Sequence, residues 1–189
     1  MTRRILVGDS HASGLAAAAA RAGKPFVAFE SFSGQRTRTI AASGWVADAE
    51  REERPIDEVW IVSSGNDRSP DDLTRPVASL LQQVAFADVV WLGPPMSLRP
   101  DIDAEHAGTT AKLERLVRGR GVTFIDSAPL TTTGHAADGV HFTSAGYDAW
   151  WSGAERAVAH ARRRPLVLAV TGLGVGAAAL VGALVLARR

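Results

Sequence analysis

RRILVGDSHASG, residues 3–14, runs from an apolar segment straight into Gly8-Asp9-Ser10, with His11 next and an alanine run behind. A short apolar run bounded by turn residues reads as a strand buried on both faces, and the alanines behind it favour helix. A strand passing through a tight turn into a helix is the first half of a βα unit. Two readings of Ser10 follow. Ser10 or Ser13 caps the helix, or Ser10 is a nucleophile held at the carboxyl edge of a parallel sheet.

Four more stretches resemble the first: PFVAFES (25–31), EVWIVSS (58–64), DVVWLG (88–93) and VTFIDS (122–127). They are rich in β-branched and aromatic residues and read as buried strands. Helix-like patterns fall between them at about 11–23, 36–51, 71–87 and 103–119, with another at 143–163. Gly23 and Gly121 stand where helices should stop, and Ser69-Pro70-Asp71-Asp72 is a start signal. Five strands joined by helical crossovers predict an α/β domain with a five-stranded parallel sheet covered on both faces.

The chain of 189 residues has no cysteine, so disulfides, cysteine–zinc sites and thiol catalysis are excluded. Its net charge of +1 hides a segregation: all five charges from Arg162 onward are arginines, and residues 1–161 are mildly acidic. An acidic domain lacks the electrostatic footprint of a nucleic-acid binder. No His/Asp/Glu grouping has metal spacing, and no cofactor is expected.

Residues 165–187, PLVLAVTGLGVGAAALVGALVLA, carry no charge and are bracketed by arginines. At about 1.5 Å per residue, such a helix exceeds a hydrocarbon core of about 30 Å. The expected division is therefore a domain at 1–161 and, at 162–189, a basic hinge with a single-pass C-terminal transmembrane anchor. MTRR followed by ILVGDSHASG is not a signal peptide, which predicts a membrane-tethered domain on the cytoplasmic side. Gly172 and Gly176 form a G-x-x-x-G pair that offers a face for a homodimer of the anchor. Trp150 and Trp151 are candidates for the helix surface near the membrane.

In an open parallel sheet, ligands bind beyond the carboxyl ends of the strands. The polar residues fall there: Gly8-Asp9-Ser10 after the first strand, Ser33-Gly34-Gln35 after the second, Gly65-Asn66-Asp67 after the third, and Asp138-Gly139-Val140-His141 beyond the fifth. These blocks, in this order, resemble those of the SGNH hydrolases, the GDSL esterase/lipase family, across essentially all of residues 3–150. The first block departs from the family pattern by continuing with His11 rather than leucine.

The resemblance implies a flavodoxin-like three-layer α/β/α sandwich and a serine esterase. Ser10 would be the nucleophile, His141 its base and Asp138 the carboxylate that orients the imidazole. The oxyanion hole would consist of the Ser10 and Gly34 N–H groups and the Asn66 side-chain amide. The expected reaction is hydrolysis of a small ester, a short-acyl or acetyl ester on a glycan or a lysophospholipid, through an acyl-serine intermediate. An O-acyltransferase using the same serine and a non-catalytic tethered binding module are the alternatives. Asp9 and Asp67 are expected to brace loops, and His11 to line the pocket or face solvent. His106, His135 and His160 read as surface residues, and Gly93-Pro94-Pro95-Met96 as a candidate pocket wall.

Overall fold

Alternation along the strands decides the layering. The structure, a computed structural model, describes residues 2–67, 69 and 73–163. Its elements in chain order are β1 (Arg4–Gly8), α1 (His11–Arg21), β2 (Ala28–Ser31), α2 (Thr37–Ala42), α3 (Trp45–Glu53), β3 (Glu58–Val62), α4 (Thr74–Gln83), β4 (Asp88–Leu92), α5 (Pro100–Val117), β5 (Val122–Ile125) and α6 (Ser144–Arg163). The five strands form one parallel sheet in the order β2-β1-β3-β4-β5. Ile5, Val7, Val59, Ile61, Val89 and Trp91 point to one face and pack under Ile40, Val46, Val77, Leu80 and Leu113 of α2 to α5. Leu6, Trp60, Val62, Val90 and Leu92 point to the other, beneath Leu15 and Ala19 of α1 and Trp150, Trp151 and Ala154 of α6. This is the expected three-layer sandwich in the flavodoxin-like strand order.

β1 lies between β2 and β3, so the chain leaves it toward one side and later returns on the other. Ligand crevices form at such a switch point. Gly8 ends β1 hard against the end of β3: a Cβ there would lie 2.2 Å from the Val62 carbonyl oxygen.

Two expectations about the helices need correction. The pattern at 36–51 is two helices, because Gly44 adopts φ +74° and turns the chain between Ala42 and Trp45. Trp150 and Trp151 do not lie at the surface; they are 0% and 2% exposed, with Trp151 packed on Trp60 at a ring separation of 4.9 Å. The helix before the tail ends at Arg163, as the pattern at 143–163 predicts. Arg162 in its last turn reaches Glu58 at the start of β3 (2.6 Å), where Arg4 also binds (2.8 Å). Among the described residues no helix is long and apolar enough to cross a membrane, and the apolar segment 165–187 lies outside them.

Candidate active site

The nucleophile turn follows directly from the end of β1. Asp9 continues the pairing through its N–H to the Val62 carbonyl (3.0 Å), and the chain then enters α1 at His11. Ser10 occupies the N-cap position, yet its hydroxyl makes no capping bond. The hydroxyl instead lies 2.9 Å from His141 Nε2. The capping role for Ser10 is thereby set aside by where its oxygen points.

His141 sits on the loop before α6. Its Nδ1 lies 2.6 Å from Asp138 Oδ2, while Asp138 Oδ1 accepts the backbone N–H groups of Val140 and His141, both at 2.9 Å. The hydrogen bond from His141, reinforced by those two N–H groups, holds the Asp138 carboxyl well below the usual carboxylate range. A carboxylate can only accept, so His141 carries its proton on Nδ1 and leaves Nε2 as the acceptor for the Ser10 O–H. The three residues expected to work together thus form a continuous chain from hydroxyl to carboxylate. Both ring and carboxylate stand half open, with side-chain exposures of 42% and 51%.

Gly34 and Asn66 line one cleft of about 450 Å³ together with Val140, the residue that precedes His141. Gly34 has φ +69°, a conformation glycine adopts without strain. Ser64 holds φ +85° although it has a side chain, and this left-handed residue turns the chain out of β3 into Gly65-Asn66. The Asn66 amide donates one hydrogen to the Gln35 carbonyl (3.2 Å), tying the loops after β2 and β3 together. An amide nitrogen has two hydrogens, so one remains for an oxyanion.

The bracing carboxylates are buried. Asp9 Oδ1 accepts the His11 N–H (3.1 Å), and Asp67 Oδ2 accepts both the N–H (3.2 Å) and the hydroxyl (2.5 Å) of Thr37. Burial pushes the Asp9 carboxyl up to about 6, against the N–H groups of His11 and Gly65.

The histidines depart most from expectation. His11 neither faces solvent nor lines the cleft. It is buried, with Nδ1 3.1 Å from the Tyr147 hydroxyl and its ring packed against Phe142, Trp150 and His141 itself. Burial, aided by the neighbouring His141, lowers it to about 3, so it is neutral beside the base. His106 is not a surface residue either, and His135 is half-buried. His106 is 5% exposed, and His135 Nε2 lies 3.0 Å from the Met96 carbonyl. His160 is exposed as expected.

Residues 93–96 act as a junction rather than the expected wall. Met96 N–H donates to Thr131, and the next two residues donate to the Gly139 carbonyl. The far wall of the cleft comes from charged residues that sequence reasoning missed: Arg36, Arg99, Asp101 and Glu105, with Ile102. Nothing local distinguishes them from solvated helix-face residues. Among the described residues no cluster of His, Asp and Glu could hold a metal ion.

Solved structures share this architecture. The M. smegmatis aryl esterase superposes with a TM-score of 0.67 at 18% identity, over 82% of this chain and 98% of that one. The chain has the SGNH-hydrolase fold. A carbohydrate acetylesterase from Sinorhizobium meliloti matches with a TM-score of 0.63 at 17% identity, over 84% of this chain and all of that one. The C-terminal catalytic domain of a peptidoglycan O-acetyltransferase from Streptococcus pneumoniae matches at 0.67 and 16%, over 87% and 96%. No protein-family model matches the sequence, and no curated protein does either. In the SGNH-hydrolase fold found here, Ser10, Gly34, Asn66 and His141 all stand on loops at the carboxyl edge of the sheet.

Proposed function

We propose that this domain is a serine ester hydrolase acting on small acyl esters of polar alcohols. The observation that carries the reading is the unbroken chain from Ser10 Oγ through His141 to Asp138, at 2.9 and 2.6 Å. Ser10 Oγ attacks the ester carbonyl carbon as its proton passes to His141 Nε2. The carbonyl π pair moves onto oxygen, where the N–H groups of Ser10 and Gly34 and the remaining Asn66 hydrogen stabilise it. Collapse breaks the carbon–oxygen bond to the alcohol, which leaves with the proton from His141. Water repeats the sequence on the acyl-serine and releases the acid.

The cleft supports a polar alcohol over a lipid. Arg36, Arg99, Asp101 and Glu105 line it, and desolvating such groups against an acyl chain is unfavourable. A sugar hydroxyl bearing an acetyl group fits that chemistry. The half-open His141 and Asp138 favour a second reading, O-acyl transfer, in which a sugar hydroxyl replaces water in the second half-reaction. The apolar segment 165–187 supports a membrane tether for the domain.

The test is turnover of p-nitrophenyl esters of increasing chain length, with and without a sugar acceptor. Acetyl should be preferred, Ser10→Ala should abolish turnover with the circular dichroism spectrum unchanged, and the wild type should accumulate a Ser10 acyl adduct visible by mass. Preference for long chains would refute the polar-substrate reading, and full activity in Ser10→Ala would refute the nucleophile.

A further inference from the structure

His106 is the buried titratable group that the chemistry above leaves unused. It projects from α5 between two loops, with Nδ1 2.8 Å from the Pro95 carbonyl oxygen and Nε2 3.0 Å from the Gly65 carbonyl oxygen. Carbonyl oxygens only accept, whereas a neutral imidazole has one donor and one lone pair. Either neutral tautomer would press a ring lone pair against an oxygen lone pair inside the protein. Only the doubly protonated ring satisfies both contacts.

The surroundings supply the opposite charge. The position a Cβ would take on Gly65 lies 3.2 Å from Asp9 Oδ2 and 3.8 Å from His106 Nε2, so carboxylate and imidazole flank the same residue. Asp9, from the loop after β1, and His106 interact electrostatically. His11, on α1, also interacts electrostatically with His106.

We infer that His106 is a positioning residue: an imidazolium, with Asp9 as counter-charge, that clamps the loop carrying Asn66. The inference rests on the ester-hydrolase reading for its catalytic consequence. Gly65 C=O belongs to the peptide that joins Gly65 to Asn66. A charged donor on that oxygen fixes the peptide plane, and with it the direction in which the Asn66 amide projects. The other ring nitrogen ties this loop to Pro95, just before the segment that holds Gly139 beneath His141. One side chain therefore registers the oxyanion donor against the base.

Two measurements on the full chain test this. In the wild type at pH 7, nitrogen-15 spectra of the His106 ring should show both nitrogens protonated; a neutral tautomer would overturn the proposal. Separately, His106→Phe should lower kcat about 10- to 100-fold, as expected for a misplaced catalytic group, with KM little changed. His106→Gln, which keeps a donor at one end, should lose less. In an Asn66→Ala background neither change should lower kcat further, because the group they position is gone. Equal losses in both backgrounds would mark His106 as merely structural and sink the proposal. If His106→Phe does not fold, His106→Gln and the wild-type spectra still decide. A wild type that turns over no ester defeats the hydrolase reading instead, while the ring spectra and a shift of the Asn66 amide resonance in His106→Gln still judge the clamp.

Discussion

Replacing Asp9 with asparagine should change how stability depends on pH, and the structure sets the size of the change. Asp9 is 1% exposed, and burial raises its carboxyl from the ordinary 3.8 to about 6. Between those values the native protein keeps a proton that the unfolded chain has released. Folding is therefore favoured below pH 4, and that advantage is lost as pH rises through 6. A shift of this size corresponds to about 3 kcal/mol. Asparagine cannot ionise, so its protein lacks this slope. It also turns an NH₂ group toward one of the N–H donors that Asp9 accepts, a pH-independent loss of about 1–3 kcal/mol. Urea denaturation is followed from pH 4 to pH 8 for both proteins, and again in a His106→Gln background so that the loss of the His106 counter-charge is counted separately. The wild-type advantage over Asp9→Asn should shrink by about 3 kcal/mol across that range. A difference in unfolding free energy that stays constant with pH would refute the burial argument, whatever its absolute value.

Further expectations concern the remaining loops. Asp138→Asn should lower kcat/KM by about 10²–10³, short of the roughly 10⁴ seen for a buried triad carboxylate, because Asp138 is half exposed and water can partly replace it. Steady-state rates within threefold of wild type would mean that the Asp138 contact does not orient the base. Asn66→Ala should cost about 10²–10³ in kcat at nearly constant KM; an effect on KM alone would make Asn66 a binding residue. Gly14→Ala places a Cβ 2.3 Å from Tyr147 Cζ and must displace the ring that bonds His11. Despite alanine's better helix propensity, it should cost about 1–3 kcal/mol. An unchanged thermal midpoint would show that Tyr147 can move freely.

The fold was legible where one physical signal dominated. β1, β3 and β4 are covered on both faces, so their apolar runs announced themselves, and each motif was short and stood after its strand. The break at Gly44 was within reach, since Ser43-Gly44 is a stop signal that the longer helical pattern overrode. His106 was not within reach. Its helix carries charged residues around it in sequence, and its burial arises from loops after β3 and β4 that meet only in space. Trp150 and Trp151 misled for a related reason: their proximity to an apolar tail suggested an interface, whereas their partners are Trp60, Phe26 and His11 in the layer that α1 and α6 form on one face of the sheet. Charged cleft residues gave no signal because a solvated arginine and a substrate-facing one look alike in a sequence.

The anchoring of α6 at Glu58 has a practical consequence. Arg162 fastens the last described turn at the beginning of β3, whereas the nucleophile turn lies past the end of β1, one strand length or about 16 Å away along the sheet. A pull on the chain beyond residue 163 is therefore borne by an ion-paired handle at the opposite end of the strands from the nucleophile turn. Coupling that end to a bead or a vesicle should leave turnover of a soluble ester unaltered.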